Sequence, residues 1–288
     1  MNYNKKNILG ISFMILAMFS LSINDITYKY FTYDFPVWEA IFFRALSGSI
    51  VSIFLVYKSG ISSIKTKKPI RHFVRATAAV GCVVLYIYGI KFLPLSENIA
   101  ISHSAPIIAA LLAVPLLSEK LGIHRMSAIL IGFIGVLIIV KPGTDLFHLK
   151  SLIPIGSAIF MAIGYLATRS IMSTDSSTSI VFYYSFALLF TSIIFFPADF
   201  IFPKNLDLLL ALSLGLMGSA GHYFISLAAK NADVAITSPF EYSSFIFVGI
   251  MGYIFFSEIP TQSVIIGSVF IIFSGIYIAY RERKLESI

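Results

Sequence analysis

The sequence predicts an all-α membrane protein of ten transmembrane helices, arranged as two inverted five-helix repeats. Three observations predict it. The chain is 58% hydrophobic and only 12% charged over 288 residues, with a mean hydropathy of +0.89, whereas soluble domains carry roughly 25% charged residues. Its apolar residues gather into ten runs of the order of the roughly 20 residues a bilayer-spanning helix needs. The two halves of the chain also repeat each other.

The runs cover 8–31, 36–57, 73–93, 97–117, 124–140, 151–172, 179–198, 207–228, 234–256 and 261–280. The first follows Lys5 and Lys6, but it exceeds a signal-peptide core and lacks a convincing cleavage site, so it reads as a retained span. The second opens beside Trp38, an expected interface anchor, and carries Phe42-Phe43-Arg44. A basic stretch from Lys58 to Arg75 leads into the third. The fourth contains Pro106, and the fifth carries Gly132-Phe133-Ile134-Gly135. The sixth and seventh are continuous apolar runs. The eighth holds Gly218-Ser219-Ala220-Gly221-His222, where small residues permit close helix approach. The ninth contains Pro239 early in its length, and the tenth ends at Tyr280-Arg281-Glu282-Arg283. A transmembrane barrel would show alternating segments of about ten residues, and these runs are longer and apolar on every face.

With the N-terminus in the cytoplasm, the inner connections and ends hold most of the Lys and Arg. The outer side holds Lys29, Lys91, Lys141, Lys150 and Lys204, a bias of about three to one. This positive-inside pattern places both termini in the cytoplasm of a multi-pass protein, expected in a bacterial cytoplasmic membrane. It also accounts for the net charge of +7 without nucleic acid, which is not an expected partner. The single Cys82 forms no intrachain disulfide and no metal cluster. No Walker-type phosphate loop, HExxH or GxSxG motif occurs, so the chain is expected to be no enzyme, to need no cofactor or metal, and to draw on an ion gradient or substrate exchange.

At an offset of about 139, Ser104 pairs with Ser243, Ile107 with Ile246, Ser118 with Ser257 and Glu119 with Glu258. A one-residue slip then pairs Phe133 with Phe273 and Gly135 with Gly275. The halves divide as 1–145 and 146–288. Five spans per half is odd, so the second half is inverted in the membrane, the architecture of alternating-access carriers.

The sequence resembles the EamA-type ten-helix carriers of the drug/metabolite transporter superfamily. The resemblance rests on Phe42-Phe43-Arg44, on the stretches Pro94 to Glu119 and Ser238 to Glu258, on Gly132-Phe133-Ile134-Gly135 with Lys141-Pro142-Gly143, and on the Tyr280 to Arg283 end. It implies secondary transport of a small organic metabolite, with a proton or an exchanged substrate as the driving partner, by a monomer or homodimer. Ser22 to Lys29 and Glu39 to Arg44 are similar to bacterial S-adenosylmethionine uptake carriers. Some of those carriers have a basic residue where this chain has Glu241, which leaves riboflavin importers and amino-acid or metabolite exporters as alternatives. A channel or a membrane receptor is the alternative outside the family.

An ionisable group in hydrocarbon is costly and marks a functional site by default. The candidate substrate-binding residues are Asn24, Asp25, Arg44, His103, His222, Tyr223, Glu241 and Tyr242. Asp25 either pairs with Lys29 four residues on or offers its carboxylate to a cationic substrate or proton. Arg44 either braces the fold against an acidic side chain or a carbonyl, or takes a substrate carboxylate bidentately. Pro239 frees backbone groups beside Glu241, and His103 stands three residues before Pro106 in the matching repeat. Tyr223 and Tyr242, with Tyr183 and Tyr184, offer rings for stacking or for an onium group. Glu119 and Glu258 are expected as brackets or gates at span ends.

Overall fold

Backbone polar groups in hydrocarbon must be satisfied within the segment itself, and every regular element among the described residues is helical. The computed structural model describes residues 3–117, 123–142, 148–171, 174–198, 200–232 and 234–286. Its helices are α1 (Tyr3–Asp34), α2 (Val37–Ser59), α3 (Pro69–Phe92), α4 (Leu95–Ser102), α5 (Ala105–Leu117), α6 (Ile123–Val140), α7 (Leu152–Ile171), α8 (Ser177–Ile194), α9 (Leu206–Asn231), α10 (Val234–Thr237), α11 (Ser243–Phe256) and α12 (Gln262–Glu286). Among the described residues, seven segments are long and apolar enough to cross a membrane, and α6, α8 and α12 contribute three shorter apolar helices. These ten coincide with the ten predicted runs, α4 with α5 and α10 with α11 each forming one broken span.

The breaks have a chemical cause. Pro106 cannot donate to the carbonyl of Ser102, and Pro239 cannot donate to that of Ala235, so neither helix runs through. In the fourth span the chain turns at His103 and Ser104, and in the ninth it tightens into a 3₁₀ turn over Ser238–Tyr242. The repeat is visible in these boundaries: α4 and α10 begin 139 residues apart, as do α6 and α12, and α5 and α11 end at the same offset.

The halves interlock rather than stand side by side. Helix α1 packs on α9 and α3 on α7, two pairs that exchange when the repeats are swapped, while α2 packs on α8 and α6 on α12. At the last crossing a Cβ on Gly135 would stand 2.7 Å from the Gly267 carbonyl, and one on Gly267 would stand 2.6 Å from that of Gly135. Bare backbone is what lets α6 and α12 touch. Large apolar side chains such as Phe54, Phe190, Leu209 and Tyr253 are all at least 60% exposed, which a bilayer covers.

Polar side chains tie the connections together at both ends. At the end where α1 finishes, Glu39 accepts the Ile201 N–H at 3.1 Å and Glu97 accepts from the Ser151 hydroxyl at 2.9 Å. At the opposite end, the α2–α3 connection grips the α7–α8 connection. There Asp175 accepts from the Thr66 hydroxyl and meets His72 Nε2 at 2.8 Å. Lys68 donates to the Ser170 carbonyl at 2.8 Å and Tyr183 to that of Ile64 at 3.0 Å.

The Thr66 hydrogen bond, with lesser ones from Thr174, His72 and the Lys67 backbone, holds the Asp175 carboxyl down from 3.8 to about 2. A depressed carboxyl adds stability that is complete above its ordinary value and is lost as pH falls through the folded one. The gap in unfolding temperature between wild type and Thr66→Val should therefore stay constant between about pH 7 and pH 5, and close only below about pH 4. A gap that closes between pH 7 and pH 5 in a thermal scan contradicts this reading.

Candidate functional site

The first group of buried polar side chains centres on α1 and α2. Asn24, 2% exposed, donates to the Leu214 carbonyl at 2.6 Å. Its neighbour Asp25 accepts from the Tyr86 hydroxyl of α3 at 3.0 Å. The i to i+4 pairing of Asp25 with Lys29 does not form. Lys29 instead extends from the last turns of α1 to the Glu258 carboxylate and to the Leu93 carbonyl at 3.0 Å. Glu258 also accepts the Leu95 N–H at 2.8 Å, so one buried ion pair joins α1, the start of α4 and the end of α11. Glu258 thus brackets a span end as the repeat predicts, while Glu119 lies outside the described residues.

Arg44 is placed by close backbone packing. A Cβ on Gly215 would stand 1.6 Å from Ser47 Oγ and 3.0 Å from the Arg44 carbonyl, so α9 lies directly on α2 here. One turn on, Gly218 leaves its face open to Arg44 Nη1 and Asn24 Oδ1, which would stand 3.6 and 3.8 Å from its Cβ. The guanidinium donates to the Tyr28 hydroxyl at 2.9 Å and also bonds Tyr184. Among the described residues no carboxylate lies within 4.0 Å of it, so the acidic brace considered for Arg44 is not made. Asp25 is near enough to interact with it electrostatically. His222, exposed on α9, interacts in the same way with Arg44 and with Arg75.

Arg75 is a residue that sequence reasoning assigned elsewhere, among the orientation-setting cations of the α2–α3 connection. The structure places it in the second turn of α3, donating to the Thr168 hydroxyl at 3.2 Å and the Ile180 carbonyl at 3.0 Å, with its Cζ 5.7 Å from the Tyr184 ring centroid. The signal was present: position 75 falls inside the predicted run 73–93. Tyr184 was picked out only as a ring for stacking, and Tyr28 and Tyr86 carried no such signal, being ordinary aromatics of apolar spans.

The second group forms where the two broken spans meet. His103 Nε2 is 3.2 Å from Ser244 Oγ, and its ring lies 5.5 Å from that of Tyr242 and 5.1 Å from that of Phe245. His103 and Tyr242 are equivalent at the 139-residue offset, so the breaks touch across the pseudo-two-fold axis. Gly275 of α12 makes room for the Tyr242 hydroxyl, which stands 1.7 Å from where its Cβ would be. Glu241, half-buried, interacts with Tyr165 of α7 and with Tyr242. Cys82 on α3 lies within electrostatic reach of both Arg44 and Tyr165. Tyr223 stands apart, 63% exposed and facing Phe224 at 6.2 Å. Among the described residues no three His, Cys, Asp or Glu side chains gather as metal ligands.

An interlocked inverted repeat with ionisable side chains inside the bundle is a carrier's geometry. Comparison with known proteins decides the family: the EamA-like transporter family matches residues 8–141 and 150–281. The chain belongs to the EamA-like transporter family. This EamA-like chain is 29% identical over 283 residues to an S-adenosylmethionine uptake transporter of Rickettsia felis, covering 98% of this chain and 96% of that one. It is 26% identical to a riboflavin transporter of Rhizobium johnstonii, over 97% and 93% of the two chains, and 26% identical to a pseudopaline exporter of Pseudomonas aeruginosa, over 96% and 97%. A solved crystal structure, 18% identical, superposes with a TM-score of 0.63 over 98% of this chain and 99% of that one, which speaks to the fold. The EamA-like transporter is a multi-pass membrane protein whose partner is a small-molecule substrate.

Proposed function

We propose that this transporter carries a zwitterionic metabolite with a second cationic centre, S-adenosylmethionine first, by alternating access across the bacterial cytoplasmic membrane. The observation that carries this reading is Arg44. A guanidinium withdrawn from water is stabilised when it is paired with an anion, yet this half-buried one bonds two tyrosine side chains and, among the described residues, no carboxylate lies within 4.0 Å of it, Asp25 acting on it only from farther off. A substrate carboxylate supplies the missing charge, bound in the bidentate geometry Arg favours. Glu241 at the break of the ninth span, beside Tyr165, Tyr242 and Phe245, offers the opposite end: a carboxylate and aromatic faces for an onium centre. Asp25, with its Tyr86 partner, stands ready to hold a substrate ammonium or a proton. The names of the Rickettsia relatives favour S-adenosylmethionine over riboflavin, which lacks both the carboxylate and the permanent cation.

With both termini in the cytoplasm, the Lys29–Glu258 pair closes the outer end and the Asp175 cluster lies at the inner end. The carrier is driven by a proton or by exchange. Counterflow tests the substrate: proteoliposomes loaded with unlabelled S-adenosylmethionine should accumulate the labelled compound, and unlabelled riboflavin should not compete. Accumulation driven by riboflavin and not by S-adenosylmethionine would overturn the assignment.

A further inference from the structure

We propose that Arg75 and Tyr184 form a second carboxylate station, on the cytoplasmic side of Arg44, through which the substrate's acid group passes on its way between Arg44 and the cytoplasmic face. This rests on the carboxylate assigned to Arg44 above. Arg carries five N–H donors and a permanent charge; Arg75 spends donors on one hydroxyl and one carbonyl, both neutral. Among the described residues no carboxylate lies within 4.0 Å of it. Asp175, on the α7–α8 connection, is engaged by Thr66 and His72.

The placement is what makes it a station rather than a brace. Arg75 stands six residues from the start of α3, whereas Arg44 stands seven residues from the start of α2, which lies at the opposite end of the bundle. Tyr184 joins them, its ring 5.7 Å from Arg75 Cζ and its side chain bonded to Arg44, and exposed His222 lies within electrostatic reach of both. An anion leaving Arg44 toward the cytoplasm thus meets a second unneutralised guanidinium before it reaches water, which lowers the cost of breaking the first contact.

Two measurements test it, and they separate its failure from that of the substrate reading. In oriented proteoliposomes, Arg75→Gln should raise KM for S-adenosylmethionine offered at the cytoplasmic face at least tenfold and leave the outer-face KM within twofold. Arg75→Lys should restore part of the loss. Equal effects at the two faces, or none, overturn the station. Independently of any transported substrate, phenylglyoxal modification of Arg75 in the wild-type chain, read by peptide mass, should slow at least fivefold in acetate relative to acetamide. Protection by acetate without S-adenosylmethionine transport supports the station and removes the substrate assignment; equal labelling in acetate and acetamide overturns the station.

Discussion

Glu258→Gln should destabilise the transporter by about 3 kcal/mol or more, because removing one partner of a buried ion pair strands the other charge. Lys29 and Glu258 have side chains only 7% and 19% exposed. The amide oxygen of glutamine still accepts the Leu95 N–H, so the loss isolates the charge rather than the hydrogen bond. Lys29 keeps only the Leu93 carbonyl and the flank of Phe256, 5.5 Å from its Nζ. Pairing the change with Lys29→Met should recover much of the lost stability, since no charge is then left buried. Thermal unfolding in a fixed lipid environment reads both effects. A single variant as stable as wild type, or a double variant worse than the single, contradicts the account of the α1–α11 junction.

Arg44→Gln should weaken binding of a carboxylate-bearing substrate by about 2 to 5 kcal/mol, roughly thirtyfold to several thousandfold in Kd. Folding should survive it, because the partners left behind are the Tyr28 and Tyr184 hydroxyls, which glutamine can still bond, and no buried carboxylate loses its ion pair. Arg44→Lys keeps the charge but not the planar fork, and should recover only part of the affinity. Isothermal titration with S-adenosylmethionine checks the direction and the size. An unchanged Kd in Arg44→Gln would return Arg44 to a bracing role.

These two residues also mark how far the sequence alone could be read. The ten spans and their inverted repeat were legible because hydropathy, loop charge and the 139-residue offset are all properties of the linear chain. Both proline breaks were marked for the same reason. Partners were not legible, because in an interlocked bundle each helix packs mainly on one from the other half. Lys29 is four residues from Asp25 in sequence, but its partner is 229 residues away. Arg75 sits close enough to a span end to read as an orientation signal, and only the fold shows it entering the bundle. The phenols of Tyr28 and Tyr86, which hold Arg44 and Asp25, have no distinguishing context in a chain with 15 tyrosines, and Tyr184 stood out only for its ring.

The central claim is that Arg44 holds the substrate's carboxylate. The most direct test measures binding of S-adenosylmethionine and of its decarboxylated analogue to the wild type and to Arg44→Gln. The account predicts that the wild type prefers the intact compound by at least thirtyfold and that Arg44→Gln binds the two within about threefold of each other. The same preference in both proteins would place the carboxylate elsewhere and contradict the account.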